Sequence, residues 1–336
     1  MLTFRRALVL ACILAVCVPA GALGDLSLSA GVSEGANLSS VSAAAATAAN
    51  LPGQLGTNVL VNWSSLLPGL TDAYGANDPN ICNSGSNSCV SAVLAEMDRR
   101  LAPLERSCSH NAMFGLLYDH ITASYLRTVT GDPSFFHDNA FVNHEDAVFA
   151  SYYFNAYDNY AAGNRAAVPG AWQIALDAAA SRSVSGDGNI LLGVNAHIQR
   201  DLPFVLYHIG LTEPDGTTLK PDHDKVNQIL YGAFADAITD AGTHLDPTVD
   251  PNLPAVLAPL GYATLFQAVE GWREQAFRYA EQLASAPDAA ARAVISAQIE
   301  QNATLTAQLI QTATAYAPAS SSAARDAFCA AHQPAS

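Results

Sequence analysis

Apolar residues recur at helical spacing along most of the chain from about residue 88 onward. In the stretch 90–104, for example, Val93, Met97 and Leu101 fall on one helical face. The alternation of apolar and polar residues that is typical of strands is nearly absent. The pattern therefore predicts an all-α protein. It favours a single multi-helix, bundle-like domain, because this length does not require two.

The most informative segment of this pattern is 190–209, which is apolar enough to be a buried central helix. His197 and Asp201 interrupt it, and because they are four residues apart they lie on the same helical face. Pro203 follows closely and cannot donate a backbone hydrogen bond to the Gln199 carbonyl, which predicts a kink beside the pair. An imidazole and a carboxylate that leave water together require each other, a metal or a substrate.

The first residues have the pattern of a secretory signal peptide rather than of a folded element. Arg5 and Arg6 precede an apolar core at 7–18, and the small residues at 22–24 suit a cleavage site. The core is shorter than the roughly 20 residues that span a membrane, so no stable membrane anchor is predicted. We therefore expect residues 1–24 to be a signal peptide and the protein to be secreted, either extracellular or in the cell envelope.

Composition divides the remainder into a leader and a folded domain. Residues 25–56 are rich in Ala, Ser and Gly with little periodicity, which predicts a flexible leader. Residues 57–332 are predicted to form the helical domain. The formal net charge of −15 argues against electrostatic binding of nucleic acid.

Four cysteines follow the signal segment: Cys82, Cys89, Cys108 and Cys329. An even number in an exported protein indicates disulfides. The short flexible loop 83–88 favours the pair Cys82–Cys89, which leaves Cys108–Cys329, although the sequence alone does not fix the pairing. A four-cysteine zinc site is the alternative, but the chain lacks the usual Cys-x-x-Cys pairs.

Several segments of the chain carry a resemblance to a known family: residues 146–153, Trp172, Asn-Ala-His-Ile at 195–198, Asp-Leu-Pro at 201–203, Asp222 with residues 226–227, and residues 273–277. In these segments and in their order, the chain resembles the uncharacterised bacterial family 5995 of domains of unknown function. Phe277 stands where the family is expected to have tryptophan. The similarity spans about 114–283 and implies no activity. It implies that a set of polar residues recurs together: Asp146, Asn195, His197, Asp201, Asp222 and Asn227.

These polar residues suggest one metal site built from several helices. His197 and Asp201 would supply two ligands from the central helix, and Asp146 and Asp222 would come from two others. One imidazole with up to three carboxylates suits a divalent ion such as Zn, Fe or Mn.

Three further residues are predicted to support this site. Asn195 and Asn227 would hydrogen-bond to the ligands. Arg273 would act with His197 and Asp201 in catalysis, either by pairing a carboxylate or by holding an anionic substrate.

Structural roles are the alternative for each candidate. His197 and Asp201 would form a buried hydrogen bond that fixes helix packing. Asp222 follows Pro221 in a first helical turn, where the helix dipole alone stabilises a carboxylate. Asp146 would accept a hydrogen bond from a tyrosine hydroxyl.

The sequence favours an enzyme, a metal-dependent hydrolase acting on a small-molecule or lipid-like substrate with a metal-activated water. A metal-free binding protein for a small apolar or lipid-like ligand is the main alternative, and a structural cell-envelope protein is the third. No Gly-x-Ser-x-Gly elbow, dinucleotide-binding glycine motif or phosphate-binding loop is present. Their absence argues against a serine-elbow mechanism and against nucleotide cofactors. Oligomeric state is not indicated.

Overall fold

A computed structural model describes residues 84–249, 262–317 and 319–332 of the chain. The helices are α1 (Asn87–Arg106), α2 (Ala112–Gly131), α3 (Asn139–Ala161), α4 (Gly170–Ala180), α5 (Gly186–Asn195), α6 (Leu202–Ile209), α7 (Lys220–His244), α8 (Tyr262–Ser285), α9 (Ala289–Thr314) and α10 (Ala323–Ala331). Within these ranges the chain forms helices and two isolated β-bridges, but no sheet. The prediction of an all-α fold is confirmed.

The predicted central helix is present as α5, a π-helical segment at Ala196–Asp201, and α6. The Leu202 amide donates to the His197 carbonyl five residues earlier, which widens the turn just before Pro203. Proline has no amide hydrogen to continue the regular ladder, so a locally widened turn at this point has a physical cause. The kink itself stays a prediction.

This central helix runs through the core. Every residue of α5 and of the π-helical segment is buried, and α6 is buried as far as Leu206. The π-helical segment contacts α3, α4, α8 and α9. A helix that is apolar on all sides is stable only when other helices surround it, and the polar groups it carries are then withdrawn from water together.

A disulfide joins Cys108, which precedes α2, to Cys329 in α10. This part of the cysteine prediction is confirmed. Arg325 of the same terminal helix is buried and donates to the Asn189 side chain at 2.8 Å. A covalent bond and a buried hydrogen bond therefore hold α10 on the domain. Cys82 lies outside the described residues, so its bond to Cys89 stays a prediction.

The signal peptide and leader predicted at 1–24 and 25–56 also lie outside the described residues. Among the helices that are described, none is both long enough and apolar enough to cross a membrane.

Candidate functional site

The centre of the candidate site is the carboxylate of Asp201, which is fully buried. Trp172 Nε1 of α4 donates to its Oδ2 at 2.8 Å, and Arg200 Nη1 donates to its Oδ1 at 2.9 Å. His197 Nδ1 lies 3.1 Å from Oδ2. Arg200 is held in turn by Glu300 of α9, with Nε 2.7 Å from Oε1. A buried carboxylate is stable under such conditions because charged and neutral donors replace its hydration.

The imidazole of His197 lies in an aromatic cage, defined here as Phe114, Tyr118, Phe149, Tyr153 and Trp172. The Phe149 ring stacks on it with the ring centroids 3.5 Å apart and the planes 3° from parallel. The other four ring centroids lie between 4.6 and 6.4 Å from the imidazole. These rings come from α2, α3 and α4, so helices distant in sequence position a single histidine.

Burial in this cage lowers the pKa of His197, and this effect outweighs the opposing attraction of Asp201. The imidazole is therefore neutral at pH 7. Because Nδ1 faces the carboxylate, the proton is assigned to Nδ1, and Nε2 carries the lone pair. Nε2 is buried and has no hydrogen-bond partner among the described residues.

A small cavity adjoins the cage. Phe114, Tyr153, Trp172 and Gly193 line part of it, and its volume is about 20 Å³. That is room for one or two waters. A Cβ on Gly193 would lie 2.4 Å from the Phe114 ring, so this glycine permits α5 to approach α2 closely.

The predicted metal ligands do not assemble. In the described part of the chain no three of Asp146, His197, Asp201 and Asp222 offer ligand atoms within 4.8 Å of one another. Asp222 accepts instead from the His137 and Asp138 amides, both at 2.9 Å. Asp222 is therefore held by backbone donors ahead of α3, and metal binding by the four residues stays a prediction.

Asp146 is partly buried, and its Oδ2 is buried with no hydrogen-bond partner in the described structure. Burial and, to a smaller extent, the neighbouring charge of Glu145 raise its pKa to about 7.

Arg273 belongs to a second buried cluster, formed with Glu145 and His223. Its Nη2 donates to the His223 carbonyl at 2.6 Å, and His223 Nδ1 lies 3.8 Å from Glu145 Oε1. Burial lowers the pKa of Arg273. The sequence pattern assigned no role to Glu145 or His223, because a helical pattern does not show which face of a helix a neighbouring helix covers.

Asn195 and Asn227 were predicted to support the site, but Asn195 has another role and Asn227 Oδ1 has no partner in the described residues. Asn195 donates to the Ala303 carbonyl of α9 at 2.9 Å and accepts from Gln199 at 2.8 Å. It therefore joins two helices. The Asn227 Oδ1 is buried without a partner among the described residues. The residues that do hold Asp201, namely Arg200 and Trp172, were not predicted for that role.

Fold and site together define an all-α domain whose central helix carries a buried histidine–aspartate pair inside an aromatic cage. The chain belongs to the family described as "Family of unknown function (DUF5995)", which it matches over residues 90–313. The sequence analysis predicted a similarity over about 114–283, and the family match extends beyond both ends of that range. Neither the curated proteins nor the solved structures contain a match.

Proposed function

We propose that this protein is an enzyme in which His197 acts as a general base on a small substrate. The observation that carries the proposal is the unpartnered Nε2 on a ring whose Nδ1 faces Asp201. A neutral imidazole oriented by a carboxylate is a common arrangement for proton transfer. An orphaned buried acceptor costs about 1–3 kcal/mol, so a role in binding or catalysis gives it a reason to persist.

The reaction class is hydrolysis. Nε2 takes a proton from water while the water oxygen forms a bond to the carbonyl carbon of an ester or amide. The leaving alkoxide or amine then receives that proton as its bond to carbon breaks. This mechanism keeps the hydrolase of the sequence prediction but assigns water activation to His197, since the four predicted metal ligands do not converge.

Phe149 controls access in this proposal. It is partly exposed and lies flat on the imidazole, so it separates His197 from solvent. A rotation of this side chain would expose Nε2. The surrounding rings favour an aryl group or a short apolar acyl group, because they offer apolar area and few donors.

The test is hydrolysis of 4-nitrophenyl esters from acetate to octanoate by the wild type, His197→Gln and His208→Gln. His208 lies in α6 of the same central helix, but its side chain is exposed, so it is the control for a histidine outside the buried site. We expect kcat/KM to fall by about 100-fold or more in H197Q and to be retained in H208Q. Wild-type activity should also decline as pH falls through the lowered pKa of His197.

Hydrolysis that survives in a folded H197Q protein would overturn the proposal, as would a wild type inactive toward every ester. If H197Q does not fold, Phe149→Ala replaces it. A more accessible base should then hydrolyse the longer esters faster than the wild type, and an unchanged rate would count against the mechanism.

A binding module for a small apolar ligand is the second candidate, favoured by the aromatic cavity beside the cage. Ligand pockets usually have volumes of about 300–1,000 Å³, so this cavity of about 20 Å³ would have to widen before it could hold even a small hydrophobe. Thermal stabilisation by indole or benzene without any ester hydrolysis would assign the site to binding.

We also propose that the chain is exported. The predicted signal segment supports this, as does the disulfide Cys108–Cys329, because such bonds persist mainly in oxidising compartments. Amino-terminal sequencing of the mature protein should give a start near residue 25, and a start at Met1 would contradict export by cleavage.

A further inference from the structure

Three side chains with metal-binding groups meet where the α2–α3 and α6–α7 connections come together. They are His137, Glu213 and Asp215, and one ligand atom from each lies within 4.8 Å of the others. His137 Nδ1 is 2.5 Å from Glu213 Oε2, and its Nε2 is 3.3 Å from Asp215 Oδ2. These three residues lie outside the His197 site, and none of them was among the residues predicted from the sequence.

Glu213 is the unusual member. Its side chain is only 1% exposed, whereas those of His137 and Asp215 are 55% and 52% exposed. Oε2 faces His137, but Oε1 is buried and has no hydrogen-bond partner in the described residues. A buried carboxylate oxygen without a donor is costly, and a cation bound to it would remove that cost.

The loop holds its two carboxylates in place before any ligand arrives. The Thr217 amide donates to Asp215 Oδ1 at 2.9 Å, and the Thr217 hydroxyl, with Oγ1 3.0 Å from Glu213 Oε2 and 2.7 Å from Asp215 Oδ1, has one proton to donate between the two carboxylates. Thr212 and Thr218 form a β-bridge that closes the loop. The carboxylates therefore lose little conformational freedom on binding a cation.

The imidazole is positioned by Asp222, which accepts from the amides of His137 and Asp138 at 2.9 Å each. The residue that the sequence predicted as a metal ligand thus anchors the backbone of a different candidate ligand.

We propose that His137, Glu213 and Asp215 bind one divalent cation, with Zn²⁺ as the ion that suits them best. One imidazole and two carboxylates are a usual zinc ligand set, and water can complete the coordination. His137 Nδ1 contacts Glu213 Oε2 directly, and an ion bound between these two groups would replace this contact. The proposal is independent of the role of His197.

The test is calorimetric titration of Zn²⁺ into untagged, chelator-stripped protein, with thermal unfolding in parallel. The variant is Glu213→Gln, which removes the charge and keeps the shape. Asp240→Asn is the matched control, because Asp240 contacts both His120 at 2.9 Å and His244 at 2.6 Å. That surface group also contains imidazole and carboxylate, yet it does not offer three ligand atoms within 4.8 Å.

We expect one Zn²⁺ per chain and a higher Tm with zinc in the wild type and in D240N, with affinity at least 10-fold weaker in E213Q. Equal affinity in E213Q, or a matching loss in D240N, would overturn the proposal in favour of nonspecific binding to surface histidines. If E213Q does not fold, His137→Gln serves instead, since its exposed side chain can be replaced with little change in packing. Undiminished zinc binding in H137Q would equally overturn it.

Discussion

Two histidine–carboxylate pairs in this protein make similar contacts and have opposite properties. His197 and Asp201 are buried in the core, whereas His137 pairs with Glu213 at the surface. Burial lowers the pKa of His197 despite Asp201. The hydrogen bond to Glu213, followed by the nearby acidic charges, raises the pKa of His137. The access of water to the imidazole therefore decides the sign of the shift, more than the identity of its partner.

The two pairs also differ in which atom is left unsatisfied. In the buried pair the carboxylate has its donors and the imidazole Nε2 has none. In the surface pair Glu213 Oε1 is the orphan. A neutral nitrogen lone pair suits proton transfer, and a carboxylate oxygen suits a cation. The difference supports a separate chemical role for each pair.

The largest effect should come from Asp201→Ala. Removing this carboxylate leaves the donors of Trp172, Arg200 and His197 without their buried acceptor, so we expect a loss of about 3–5 kcal/mol in the free energy of unfolding. Urea denaturation measures it. The paired control, Glu213→Ala, should cost much less, because its imidazole partner is exposed to water. Equal losses in the two variants would remove the distinction between the pairs.

Gly193→Ala tests how rigid the wall of the buried site is. A Cβ at this position would lie 2.4 Å from the Phe114 ring, so α5 and α2 would have to separate. We expect a loss of about 1–3 kcal/mol, measured by urea denaturation. Gly232→Ala is the control, because nothing lies within 4 Å of its Cβ position. If G193A leaves the free energy of unfolding unchanged, the aromatic cage is loosely packed.

Trp172→Phe should have a smaller effect. It removes one of the three donors to Asp201 and leaves an aromatic ring in place, so we expect a loss of about 1–2 kcal/mol. Trp272→Phe controls for the lost ring area, since Trp272 is also buried. The free energies of unfolding of the two variants, obtained from the midpoint and slope of urea denaturation, are then compared. A W172F loss no greater than that of W272F would show that the indole donor contributes little.

The smallest effects are the pH dependences, which should have opposite signs. His197 has a folded pKa below its unfolded value of about 6.5, so its contribution to stability is lost as pH falls through and below that value. His137 has a raised folded pKa, so its contribution is present below about 6.5 and is lost as pH rises through the folded pKa.

The free energy of unfolding of H197Q and H137Q, measured from pH 5 to 8 with chelator present, tests these two pH dependences. H197Q should lack the loss of stability that His197 causes at low pH. H137Q should lack the loss that His137 causes as pH rises. NMR titration of the two imidazoles gives the pKa values directly, and values shifted in the same direction would contradict the comparison.

Sequence periodicity was sufficient for the all-α class and for a buried helix that contains His197 and Asp201. Both depend on local order, because residues four apart share a face whatever surrounds the helix. The pair Cys108–Cys329 was favoured by the sequence, but the pairing of the four cysteines was fixed only by the structure, which brings these two together. The π-helical turn was not, although Pro203 marked the position where regular hydrogen bonding fails.

Which helices face one another was decided only by the tertiary structure. Asp222 binds the amides ahead of α3, and Glu213 meets His137 across 76 residues of sequence, because loop paths and helix packing bring them together. The sequence by itself determined local geometry: the helical period, the His197–Asp201 spacing and the position of the proline. Long-range packing decided how far each polar group is withdrawn from water, and that withdrawal sets its charge, its partners and the chemistry it can perform.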